Sequence, residues 1–102
     1  MFYLLYNIIE IDLSNFDASK VVSMNSMFHQ CMNLERIYFG NINTSSVKYM
    51  SYLFSYCKKL ASIDVSNFDT SSVTNMQKFF CYCKSLKSID VSNFNTSKVE
   101  NM

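Results

Sequence analysis

Apolar residues recur along this chain at a fixed step of 26. Ile11, Ile37, Ile63 and Ile89 form one column, Val21, Val47, Val73 and Val99 a second, and Met24, Met50, Met76 and Met102 a third. Leu34, Leu60 and Leu86, then Phe2, Phe28, Phe54 and Phe80, then Cys31, Cys57 and Cys83 keep the same step. A constant period of about 20 to 50 residues with matching apolar columns marks a chain of stacked units, each burying its apolar face on its neighbours. The expected fold is an α/β solenoid, a right-handed stack of strand, loop and short-helix coils with a parallel sheet on one face. The 102 residues then divide into a partial coil 1–7, coils 8–33, 34–59 and 60–85, and a partial coil 86–102, all within a single repeat-array domain.

One coil shows the local logic. In residues 60–85, Leu60, Ile63, Val65 and Phe68 alternate with polar residues around Ile63-Asp64-Val65, which predicts a short strand with one buried face. Ser66-Asn67 and Asp69-Thr70-Ser71 supply turn formers, and Thr70 or Ser71 is a candidate helix N-cap. Val73, Met76, Phe79, Phe80 and Cys83 fall at the spacing of one helical face, so a short helix is predicted from Val73 to Cys83. A lone coil cannot bury enough apolar surface to offset the entropy of ordering it, so stability must come from interfaces between coils.

Composition removes several function classes. The net charge is +1 with no basic run, which gives no electrostatic footprint for nucleic acid. The longest apolar stretch, Met1 to Ile9, is interrupted by Asn7 and is far short of a membrane span, so no membrane insertion by this segment is expected. Gly40 is the only glycine, which leaves no phosphate-binding loop. His29 is the only histidine, and its column continues as Ser55 and Cys81, one residue per coil, so no nucleophile and base are placed side by side. No enzyme, cofactor or metal site is expected. A zinc site from His29, Cys31, Cys81 and Cys83 would span two coil spacings, roughly 10 Å, which is too wide for one ion.

The motif Ile63-Asp64-Val65-Ser66-Asn67-Phe68-Asp69-Thr70-Ser71-Ser72-Val73-Thr74-Asn75-Met76, with a Phe and a Cys before the next Leu, resembles the bacterial surface protein 26-residue repeat. That repeat belongs with the BspA-like leucine-rich-repeat proteins. Ile89 to Val99 and Ile11 to Asp17 repeat it, whereas coil 34–59 departs with Tyr38 for Asp, Gly40 for Ser and Ile42 for Phe. The resemblance implies a leucine-rich-repeat-like solenoid on an extracellular or cell-surface protein of a host-associated microbe, used in adhesion to protein or cell-surface ligands. The expected function is therefore a non-catalytic interaction module that binds a protein or cell-surface ligand, such as a host molecule, on the concave sheet. The alternatives are a spacer or self-assembling scaffold, or a non-functional fragment. The chain starts and stops in mid-coil without polar capping repeats, which suggests a piece of a longer array joined to further repeats.

Candidate binding residues are the outward strand positions Glu10, Asp12, Arg36, Tyr38, Asp64 and Asp90. Asp12, Asp64 and Asp90 share one column, which Tyr38 interrupts, and such a row can attract a cation or simply be solvated. Arg36 and Tyr38 are the residue types richest in binding hot spots, which makes coil 34–59 the most informative surface. The cysteine column reads as buried thiols within disulfide range but poorly oriented for bridging, and Cys81 as a candidate accessible thiol.

Overall fold

The computed structural model describes residues 7–102, so Phe2 and most of the partial first coil lie outside the described residues. Successive coils meet in a constant register. Strand β1 (Glu10–Asp12) pairs in parallel with β2 (Arg36–Tyr38), matching Glu10 to Arg36, Ile11 to Ile37 and Asp12 to Tyr38. A second line of parallel bridges joins Ser23 to Tyr49, Tyr49 to Asn75 and Asn75 to Asn101, each again 26 residues on. The apolar columns fill the space between the two lines: Phe28, Leu34, Val47, Met50, Leu53, Phe54, Cys57, Leu60 and Val73 are all fully buried.

Regular strand pairing stops after β2. Residues 62–64 and 88–90 run alongside without forming strands. Coil 34–59 contributes Arg36 and Tyr38 around Ile37, whereas the later coils contribute Ser62 with Asp64 and Ser88 with Asp90, residue types that favour strands less. The cross-strand Glu10–Arg36 pair adds local support that the later coils lack.

The helix predicted from Val73 to Cys83 is replaced by a run of turns, and no helix occurs among the described residues. In coil 34–59, Ser55 N donates to Tyr52 O (3.2 Å) and Cys57 N to Phe54 O (3.2 Å), which are three-residue returns. The intervening donors leave the coil altogether: Met50 N, Tyr52 N, Phe54 N and Tyr56 N bond to Asn75 O, Gln77 O, Phe79 O and Cys81 O at 2.8–3.0 Å. Spacing cannot separate these outcomes, because apolar residues three and four apart suit a helical face and a turn run alike. Thickness separates them. A helix is about 10 Å across, whereas strands stack at roughly 4.8 Å, so a helix in every coil would splay the stack. A flat turn run keeps both sides in step, as the near-parallel Phe28, Phe54 and Phe80 rings show with centroids 5.5 and 5.7 Å apart. The difference in thickness that would make the strand face concave is correspondingly small.

The turns also explain Thr70. It caps no helix; it is buried, and its Oγ1 donates to Asn95 O (3.1 Å) and accepts from Asn95 N (2.7 Å) in the next coil. Thr44, one coil earlier, makes the same pair with Asp69 O (3.0 Å) and Asp69 N (2.8 Å). Asparagines form a parallel series of links. Asn67 Nδ2 donates to Gly40 O (2.6 Å), and Asn93 Nδ2 donates to Val65 O (3.1 Å), Ser66 O (3.2 Å) and Phe68 O (2.9 Å).

Candidate functional site

On the strand face, Arg36 Nε donates to Glu10 Oε2 at 3.0 Å across the β1–β2 pair, and its second nitrogen lies 3.5 Å from Glu35. The bond to Glu10, and then its charge, hold the guanidinium proton more firmly than usual. Both side chains are about half exposed, so water screens the pair and it serves mainly to fix where the Arg36 head group sits. Tyr38, opposite Asp12, is 47% exposed. Beside Arg36 an open cavity of about 490 Å³ is lined by Glu35, Lys59, Ala61, Ser62 and Ser85. Arg36 therefore borders this depression, and Tyr38 stands two residues along on the same exposed face of β2.

The aspartates of the same face are engaged locally. Asp12 Oδ1 accepts from Ser14 N (2.9 Å) and Ser14 Oγ (2.6 Å), while Asp64 and Asp90 accept from Ser66 N and Ser92 N at 2.9 Å. The serine side-chain bond first, and the serine N–H second, hold each carboxyl below the ordinary aspartate value of 3.8. Each Asp-x-Ser is thus an Asx turn that starts the loop after the strand. No cluster of three or more metal-ligating side chains occurs among the described residues. The turns tie stability to pH with a definite sign. A carboxyl depressed on folding stabilises the fold above its unfolded value, and that contribution is lost as the pH falls through the folded value. The melting temperature should hold steady down to about pH 4 and then drop as the aspartates protonate. The double variant Ser66→Ala/Ser92→Ala should flatten the drop in a thermal scan across pH; an unchanged profile would remove these turns as its cause.

Coil 34–59 departs from this turn consistently. With Tyr38 in the aspartate column there is no carboxylate to hold the loop, and Gly40 stands where Ser14, Ser66 and Ser92 stand, with φ +55°. A Cβ on Gly40 would come within 2.9 Å of Ser14 Cβ and 3.0 Å of Ser14 Cα, so glycine both relieves the backbone and admits the neighbouring coil. The substitution that places Tyr38 on the surface is accommodated two residues later.

A second cluster lies on the turn side, where Tyr52, Tyr56 and Tyr82 stand within the turn runs. His29 meets Tyr52 and Tyr56 edge-on at 5.9 and 5.7 Å, Tyr56 stacks on Tyr82 at 4.7 Å, and Lys78 Nζ sits 5.8 Å over Tyr52. Tyr52, Tyr56, Lys78 and Tyr82 have φ of 58°, 64°, 53° and 59°, a left-handed conformation that costs about 1–2 kcal/mol for a side chain with a Cβ. In the same column, His29 Nδ1 and Ser55 Oγ are buried without a hydrogen-bond partner among the described residues, at a cost of about 1–3 kcal/mol each. The turn formers themselves are visible in the sequence, but the alternation of positive φ is not, because asparagine and glycine, its usual markers, are absent there.

The remaining candidates resolve as packing. None of the four cysteines is in a disulfide. Cys57 Sγ donates to Phe28 O (3.1 Å) and Cys83 Sγ to Phe54 O (2.9 Å), and burial pushes both thiols up in pKa, away from the reactive thiolate. Cys81 is partly exposed. An open cavity of about 640 Å³ lies among Met76, Phe79, Phe80, Phe94 and Met102. Phe54, the counterpart of Phe80 one coil earlier, is covered by Phe80 itself, so this cavity lies in line with the aromatic ladder of the core. No helix among the described residues is long and apolar enough to cross a membrane.

No curated protein and no solved structure matches the chain. A family match does extend along its whole length, residues 1–102, over the same repeats whose side chains build both clusters. The chain belongs to the family described as "Mycoplasma protein of unknown function, DUF285".

Proposed function

We propose that the chain is a non-catalytic interaction module, part of a leucine-rich-repeat-like solenoid on a BspA-like surface protein, which binds a protein or cell-surface ligand through its strand face. The family is one typically found in BspA-like surface repeat proteins, which supports the extracellular or cell-surface placement. The observation that carries the reading is the exposure of Tyr38, 47%, on the same strand face as an Arg36 head group that Glu10 positions at the edge of an open depression. The neighbouring aspartates are occupied by their own serines, so within the candidate set binding energy concentrates at Arg36 and Tyr38. The non-catalytic reading is supported by a single histidine whose column places one residue per coil.

The double variant Arg36→Ala/Tyr38→Ala should cut adhesion to host protein or cells by about tenfold or more, as for paired hot-spot residues. Its circular dichroism melt should stay close to that of the parent. Undiminished adhesion would reject the patch.

A second reading is favoured by the bonds that run between coils. The threonine and asparagine links tie each coil to the next irrespective of any ligand, as a spacer or self-assembling scaffold requires. Removing one whole coil of 26 residues discriminates the two readings. A spacer loses reach and keeps binding, whereas the interaction module loses binding when coil 34–59 is the one removed.

A further inference from the structure

The turn side carries a second surface that the strand-face reading does not use. Its members touch in sequence across adjacent coils, His29 to Tyr52 and Tyr56, Tyr56 to Tyr82, and Lys78 over Tyr52. Tyr82 is 57% exposed, the most exposed tyrosine among the described residues. Charge is segregated around the coil. Residues 18–34, 43–63 and 70–89, which include the turn runs, contain no Asp or Glu, whereas they hold Lys20, Lys48, Lys58, Lys59, Lys78, Lys84 and Lys87. Four of the cluster's five residues, Tyr52, Tyr56, Lys78 and Tyr82, adopt the left-handed backbone conformation that Ser26 and Gln30 also adopt one coil earlier in the same columns, although asparagine or glycine would relieve it. Tyr82 stacks on Tyr56 and still leaves more than half of its surface open to solvent.

We propose that His29, Tyr52, Tyr56, Lys78 and Tyr82 form a binding surface for an anionic polysaccharide. The C–H face of a pyranose packs against the electron-rich face of an aromatic ring, and tyrosine hydroxyls meet the sugar hydroxyls. Lys78 and the acid-free flanks supply the counter-charge for sulfate or carboxylate groups. Because the cluster runs across coils, a linear polymer can follow it from one coil to the next. A nucleic acid is the poorer fit: it needs a basic groove tracking its backbone phosphates, and this chain offers scattered lysines and a net charge of +1.

The test is isothermal titration of the whole chain with heparin fragments, with neutral dextran of equal length and with single-stranded DNA. Heparin should bind with an affinity that falls as salt rises, and dextran and DNA should bind at least about tenfold more weakly. Tyr82→Asn, a residue that tolerates this backbone, should keep or raise the melting temperature while weakening heparin binding about fivefold or more. Lys78→Gln should weaken it similarly, and Arg36→Ala/Tyr38→Ala should leave it in place, which separates this surface from the strand face. Absence of heparin binding would overturn the proposal. So would binding that Tyr82→Asn leaves untouched, or equal binding of DNA or dextran, since each removes either the aromatic or the charged half of the recognition.

Discussion

Phe54→Ala should destabilise the chain by about 3–5 kcal/mol, enough to unfold most of it, because such a loss approaches the whole stability of a small domain. Phe54 is fully buried at the middle of the aromatic ladder. Its ring stacks on Phe28 (5.5 Å) and Phe80 (5.7 Å) and meets Phe39 (6.2 Å) and Phe79 (5.3 Å) edge-on, so one truncation opens a hole that touches three coils. In a stack held by nearest-neighbour interfaces, a middle unit serves two interfaces and an end unit one. Phe80, only partly buried and bordering an open cavity, should accordingly cost less when cut to Ala. Urea unfolding followed by circular dichroism measures both. Equal losses at the two positions would count against a ladder shared between coils.

Thr44→Val should cost about 1–3 kcal/mol although it conserves shape and adds apolar surface. The hydroxyl is buried and makes two bonds to the next coil, donating to Asp69 O and accepting from Asp69 N. Valine leaves that amide and carbonyl without their partner, and the unmet bonds outweigh the gain in transfer energy. Thr44→Ser keeps the hydroxyl and should recover most of the loss. The first coil has Ala18 in this column, buried and without a hydroxyl, so the link begins at Thr44. A valine variant as stable as the parent would mean that threonine here is a packing residue only.

Much of the arrangement is legible in the residue order, for a simple reason. A repeat of constant length forces equivalent residues into columns, and the columns of Ile, Val, Met, Phe and Cys name the core before any coordinates do. The backbone path between columns is less legible. Met50, Leu53, Phe54 and Cys57 suit a helical face and a turn run equally, and the deciding quantity is the thickness of a whole coil, which no local window contains. Thr70 shows the same blindness from another side. A threonine after Asp69 looks like a helix cap, yet its partner is Asn95, 25 residues away. Among the strand-face candidates, the alternation around Ile37 is visible in the sequence and Arg36 and Tyr38 are exposed on β2, while the Asp-x-Ser spacing of Asp12, Asp64 and Asp90 already contains the Asx turn that occupies them. The left-handed tyrosines of the turn side carry no such signal, because the residue types expected at positive φ are absent.

The account rests on coils that meet at a step of 26 and on turns where a helical pattern is written. Nuclear Overhauser contacts in solution test both at once. The expected result is ring-to-ring contact along Phe28, Phe54 and Phe80, together with contacts between the backbones of Tyr52 and Gln77 and of Tyr56 and Cys81. Continuous contacts three and four residues apart from Val73 to Cys83, with no contact between adjacent coils on that side, would restore the helix and contradict the stack described here.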